Sequence, residues 1–155
     1  MSAVILPGSY DPITLGHLEI IRRAAEIYDE VYAVAFVNPE KSYTFSLDER
    51  IKMMMLATDE LDNVLVSYST GLVIDYMREH GIEKIIKGYR NDFDLEYERA
   101  QAEWNLKNGG YETELIKCER EFEQISSTLA REKIKDGEEL SGILHPAVIN
   151  YIRGL

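Results

Sequence analysis

Short apolar runs alternate along this chain with longer stretches in which apolar residues return every three or four positions. The runs Ala3–Leu6, Val31–Phe36, Val64–Tyr68, Ile85–Lys87 and Thr113–Ile116 are brief and carry β-branched residues. They lack the polar alternation of a half-exposed sheet, so they predict buried strands. Between them, Leu18, Ile21, Ala24, Ala25 and Tyr28 form one helical face, Leu47, Ile51, Met54 and Met55 a second, and Val73, Tyr76 and Met77 a third. Ser46 followed by Glu49 predicts a capping box at the start of the second helix, and Gly81 after His80 predicts the end of the third. A fourth, strongly charged helix is expected from about Leu95 to Asn108, stopped by Gly109-Gly110.

Strands alternating with helices imply right-handed crossovers and a parallel sheet covered on both faces. The expected fold is therefore α/β: one Rossmann-like, doubly wound domain over residues 1–155 with a five-stranded parallel sheet. No repeat, low-complexity segment or linker divides it. Open sheets of this kind bind ligands beyond the carboxyl ends of their strands. Chemistry should therefore lie just after each apolar run.

After the first run come Gly8-Ser9-Tyr10-Asp11-Pro12 and Thr14-Leu15-Gly16-His17, opening a helix. Free N–H groups and the positive dipole end at a helix start suit a phosphate, to which His17 could donate. The loop has neither the dinucleotide glycine spacing nor the Lys-Ser/Thr of a P-loop, and an ordinary strand-to-helix turn reads equally well. Lys41 follows the second run, as a cation near the same phosphates or as a solvated lysine. Ser69-Thr70-Gly71-Leu72-Val73 follows the third, as pocket lining or as helix-capping chemistry. The fourth run delivers Lys87-Gly88-Tyr89-Arg90, where Arg90 offers a planar fork for phosphate. Asp94, Glu96 and Glu98 then make a solvated helix face, or hold a ribose or a magnesium-bound water. Beyond the fifth run, Ile125-Ser126-Ser127-Thr128 supplies helix caps or another anion cradle. Four of the five strand ends thus carry phosphate-suited chemistry on one edge.

The charge balance complicates that picture. The 155 residues include 17 Lys+Arg and 28 Asp+Glu, a net charge of −11. Such a field disfavours nucleic acid as a partner. A single cysteine, Cys118, leaves no internal disulfide to form. No apolar run approaches the ~20 residues of a membrane span, and the N-terminus lacks the pattern of a signal peptide. The expectation is a soluble, cytoplasmic domain with neither a nucleic-acid nor a membrane partner. Asp48, Glu49, Glu96, Glu103 and Glu132 fall in predicted helices, whereas His17, Lys41, Lys87 and Arg90 fall at strand ends. That pattern describes an acidic body with a small cationic pocket.

The residues of the first loop resemble the signature of the small nucleotidylyltransferases. Their Thr-x-Gly-His form, rather than His-x-Gly-His, resembles the phosphopantetheine adenylyltransferases. Lys87-Gly88-Tyr89-Arg90, with Asp94-x-Glu96-Tyr97-Glu98 and Asn105, resembles that family's second signature, and Ile125-Ser126-Ser127-Thr128 its third. The match runs in order over essentially the whole chain. It implies transfer of AMP from ATP to 4′-phosphopantetheine by direct in-line attack, giving dephospho-coenzyme A and pyrophosphate in coenzyme A synthesis. By resemblance His17, Lys41 and Arg90 would be catalytic. ATP would be bound by Ser9, Tyr10, Gly16, His17, Gly88, Tyr89, Arg90, Glu98, Phe122, Ile125, Ser126, Ser127 and Thr128. The acceptor would be bound by Ser9, Lys41, Leu72, Val73, Lys87 and Asn105. The resemblance further implies Mg2+ carried by ATP without a protein metal site, coenzyme A as a feedback ligand, and a homo-hexamer.

Four positions depart from the family pattern. Lys87 stands where Arg is usual, Ser9 where Thr is usual, Gln101 where an apolar residue is common, and Glu123 where a small polar residue is common. Ile125-Ser126-Ser127-Thr128-x-x-Arg131 also resembles the signature of nicotinamide-mononucleotide adenylyltransferases, so a related enzyme with another phosphate acceptor is the alternative. That family and the glycerol-phosphate cytidylyltransferases normally carry His at the place of Thr14, which favours pantetheine. A non-catalytic nucleotide-binding module is a further alternative, against which stand the intact His17, Lys41 and Arg90.

Overall fold

The computed structural model describes residues 2–155. Five strands, β1 (Ala3–Gly8), β2 (Glu30–Phe36), β3 (Val64–Ser69), β4 (Lys84–Tyr89) and β5 (Glu112–Lys117), alternate with helices. These are α1 (Leu15–Ile27), α2 (Leu47–Ala57), α3 (Val73–His80), α4 (Asp92–Gly109), α5 (Ser127–Lys135) and α6 (Pro146–Arg153). One turn of 3-10 helix, Arg120–Phe122, precedes α5. The strands order as β3-β2-β1-β4-β5, and every neighbouring pair is parallel. The chain thus winds outward from β1 to one edge, crosses back, and winds to the other. This is the α/β, doubly wound, five-stranded arrangement expected from the sequence. The strand order reverses between β1 and β4, so ligand sites belong at their carboxyl ends.

Side chains alternate across β1 and divide the core in two. Val4 and Leu6 join Ile21, Met54 and Val148 on one face, while Ala3 and Ile5 join Met77, Ile82 and Ile85 on the other. The expectation of five buried strands holds for the three central ones only. Neither β3 nor β5 contains a fully buried residue, and Leu65 and Tyr68 are 43% and 56% exposed. Each edge strand has a neighbour on one side only, and a short apolar run does not reveal that position.

Several helix ends follow the sequence signals. Ser46 Oγ accepts from the Glu49 N–H at 3.1 Å while a Glu49 carboxylate oxygen accepts from the Ser46 N–H at 2.9 Å. Gly81 closes α3 at φ +66°, a left-handed conformation that glycine adopts without penalty. α4 begins at Asp92, earlier than expected, because Asn91 caps it by accepting from the Asp94 N–H at 2.9 Å. Helix α6 has no counterpart among the elements the sequence pattern predicts. Its signals were Pro146 at the first turn and the apolar set Val148, Ile149 and Ile152, which packs into the larger core cluster. Among the described residues, no helix is long and apolar enough to cross a membrane.

Candidate active site

The loop between β1 and α1 is built around two unusual residues. Tyr10 holds φ at +50°, a region costly for a side chain with a Cβ. Its hydroxyl donates to Leu6 O at 2.8 Å, and its buried ring packs 5.0 Å from that of His17. Thr14 caps α1, its hydroxyl oxygen accepting from the His17 N–H at 3.3 Å. The Thr14 N–H in turn donates to His17 Nδ1 at 3.0 Å. This is a capping box with histidine in the place usually taken by Glu or Gln.

That box fixes the chemistry of His17. With Nδ1 accepting from a backbone N–H, the proton of the neutral ring resides on Nε2, free to donate. Burial, reinforced by the positive charges of Lys87 and Arg90, lowers the His17 pKa from 6.5 to about 4. The ring is therefore a neutral donor at physiological pH, with its tautomer set by Thr14.

His17 lines a cavity of about 260 Å³ beyond β1 and β4. Tyr10 and Gly16 contribute to the same wall, Lys87, Gly88, Tyr89 and Arg90 come from β4 and its end, and Phe122, Ile125, Ser126 and Ser127 from beyond β5. Gly88 is required by close approach, since a Cβ there would lie 2.7 Å from Ile20 Cγ1. Arg90 Nε donates to Asp94 Oδ2 at 2.8 Å, which holds the guanidinium in place. At the start of α5, Ser126 Oγ accepts from the Leu129 N–H at 3.0 Å and Ser127 Oγ donates to Pro12 O at 2.8 Å. Those hydroxyls are thus partly engaged in building the loop, and the first N–H groups of α5 remain the free donors of a helix start. Arg131 fastens α5 to the first loop, donating to Asp11 O at 2.9 Å and to Thr128 Oγ1 at 3.1 Å.

A second cavity of about 610 Å³ lies alongside. Ser9, Lys41, Leu72, Val73, Lys87 and Asn105 all line it, as do Tyr43, Tyr97, Glu98 and Gln101. Lys87 belongs to the walls of both cavities and forms part of their shared boundary. Its ammonium lies 3.1 Å from Glu98 Oε2 and donates to Pro7 O at 3.2 Å. Lys41 Nζ donates to Ser9 Oγ at 3.2 Å.

The structure therefore brings together most residues expected at the nucleotide, with three placed elsewhere. Ser9 and Glu98 line the second cavity rather than the first, and Thr128 lines neither. Glu123 also lies outside both linings, with Lys117 donating to its carboxylate at 2.9 Å.

A family model described as cytidylyltransferase-like matches residues 5–133. That span reaches from β1 into α5 and contains every cavity-lining residue named above. A phosphopantetheine adenylyltransferase of Corynebacterium diphtheriae is 42% identical over 149 residues, covering 96% of this chain and 94% of that protein. The chain belongs to the cytidylyltransferase-like family, among the phosphopantetheine adenylyltransferases.

In this member of the phosphopantetheine adenylyltransferase family the charge problem has a local answer. The net charge is −11, yet the cavity walls present Lys41, Lys87 and Arg90 beside a neutral His17. The acidic residues in those walls, Asp94 and Glu98, are each held in an ion pair by one of these cations. Sequence reasoning missed the supporting residues of the family site. Thr14 was visible only as a signature position, although Thr14-x-x-His17 has capping-box spacing. Asp11, whose carboxylate accepts from the Thr44 and Phe45 N–H groups at 2.9 Å each, was likewise visible only as a position within the first-loop signature. Arg50 did carry one, as a lone cation on the apolar stripe of α2.

Proposed function

We propose that the chain transfers AMP from ATP to 4′-phosphopantetheine, giving dephospho-coenzyme A and pyrophosphate. The observation that carries this reading is the meeting of two cavities at Lys87, with His17 on one side and the Lys41–Ser9 pair on the other. ATP fits the first cavity, with its β- and γ-phosphates at the start of α5. The acceptor fits the second, its phosphate held by Lys41, Ser9 and Lys87 and its pantetheine arm against Leu72, Val73 and Asn105. An acceptor phosphate oxygen attacks the α-phosphorus, the bond from that phosphorus to the bridging oxygen breaks, and pyrophosphate departs with the electron pair. No covalent enzyme intermediate is needed, so the protein contributes orientation and charge stabilisation. His17 Nε2–H donates to an α-phosphate oxygen as charge develops there, a preorganised contact worth about 3 kcal/mol in the transition state.

Mg2+ enters with ATP as part of the substrate. Asp94, the acidic residue in the first cavity's wall, is already tied to Arg90. The same reading places the protein in the cytoplasm as a homo-hexamer with coenzyme A as a feedback ligand. Exposed Phe93, Tyr97, Trp104 and Leu106 on α4 supply apolar surface for assembly. His17→Ala tests the chemical assignment. Turnover should fall at least about 100-fold while the Kd for ATP stays within about tenfold. Turnover near wild type would remove His17 from the transition state.

A further inference from the structure

Arg50 lies on the apolar face of α2 and is 2% exposed. Among the described residues, no carboxylate forms an ion pair with it. Its Nη1 donates to Ser9 O at 3.0 Å, its Nε has no partner, and its guanidinium carbon sits 3.9 Å from the centroid of the Tyr43 ring. A buried cation without a counter-charge is costly, and an apolar residue on this helix face would avoid the cost.

The contacts of Arg50 lead to the second cavity. Lys41 Nζ lies 5.4 Å from the same Tyr43 centroid and donates to Ser9 Oγ. Tyr43 is fixed in turn by its hydroxyl, which accepts from the Asn38 N–H at 2.9 Å. Arg50, Tyr43, Lys41 and Ser9 therefore form a closed circuit of contacts. It ties the loop after β2 to the loop after β1, and so sets where Lys41 and Ser9 meet an anion. Asp11, in the loop after β1, already accepts from the Thr44 and Phe45 N–H groups.

We infer that Arg50 is a positioning residue for the acceptor phosphate. From behind the Lys41–Ser9 clamp it holds the two loops in register and adds a positive charge that a bound phosphate compensates. It lines neither cavity and touches no reacting atom. The inference rests on the adenylyl-transfer reading for the identity of the acceptor, and inorganic phosphate tests it without turnover.

The experiment is a titration with inorganic phosphate followed by the amide resonances of Ser9 and Lys41, with those of Ser127 and Thr128 reporting the other anion site. In Arg50→Met the half-saturating phosphate concentration at Ser9 and Lys41 should rise about tenfold, and stay within about twofold at Ser127 and Thr128. In Arg50→Lys, which keeps the charge without the planar stack, the rise should be about threefold. Kinetically, Arg50→Met should raise the KM for phosphopantetheine about tenfold with the KM for ATP nearly unchanged. Equal weakening at both anion sites, or none, overturns the inference. Should Arg50→Met not fold, Arg50→Lys and Tyr43→Leu decide the matter, and wild-type phosphate binding in both overturns it. Absence of turnover by the wild-type protein would defeat the proposed function, while the phosphate titration would still decide the role of Arg50.

Discussion

Acidification provides a sharp test of the His17 assignment. An unperturbed histidine titrates near 6.5, whereas His17 is held at about 4 by burial and by Lys87 and Arg90. A displacement of that size corresponds to about 3 kcal/mol against the charged ring. At pH 5.5 roughly 3% of His17 rings would be protonated, against about 90% of unperturbed ones. The sign for stability follows from the same values. The unfolded chain takes up this proton as pH falls through 6.5, and the folded chain only near 4. Stability from neutral His17 is thus complete above 6.5 and is lost as pH falls towards 4. Long-range proton–nitrogen NMR of the His17 ring between pH 8 and 5 reads this directly. The spectra should show a neutral ring with its proton on Nε2 throughout. A midpoint near 6.5 would refute the electrostatic argument, and a proton on Nδ1 in the neutral ring would refute the Thr14 tautomer assignment.

Other outcomes follow from particular contacts. Gly88→Ala places a Cβ 2.7 Å from Ile20 Cγ1 and 3.2 Å from its Cδ1. The overpacking should cost about 1–3 kcal/mol in denaturant unfolding and raise the KM for ATP as Arg90 is displaced. Lys87→Arg should retain turnover and lower the KM for phosphopantetheine, since a guanidinium fork grips phosphate at two points. An unchanged or higher KM would show that Lys87 does not touch that phosphate. Ser46→Ala breaks the capping box of α2 at a residue that lines neither cavity. It should cost about 1 kcal/mol in thermal unfolding and leave steady-state kinetics alone. A kinetic defect there would mean that α2 transmits strain to the site.

Much of this architecture was legible in the residues, for identifiable reasons. The apolar runs and helical stripes mark elements because burial imposes their periods, and caps such as Ser46 and Gly81 mark ends because orphan backbone groups need partners. Placing chemistry after each strand collects His17, Lys41, Lys87 and Arg90 from the sequence pattern alone. What stayed hidden depends on tertiary position. The exposure of β3 and β5 follows from strand order, which local pattern does not encode. The side of Lys87 on which Glu98 lies follows from how α4 packs on the sheet. The supporting contacts of Asp11 and Arg50 reach backbone atoms or a ring, and those partners carry no sequence signature.

The central claim is that the two cavities hold ATP and a phosphopantetheine whose phosphate attacks directly. Pyrophosphate release should be measured with MgATP and, in parallel, 4′-phosphopantetheine, nicotinamide mononucleotide or glycerol phosphate. The account predicts rapid release with phosphopantetheine, stoichiometric with dephospho-coenzyme A, and background rates with the other two. Tight ATP binding without release in the presence of phosphopantetheine, or faster release with another acceptor, would contradict it.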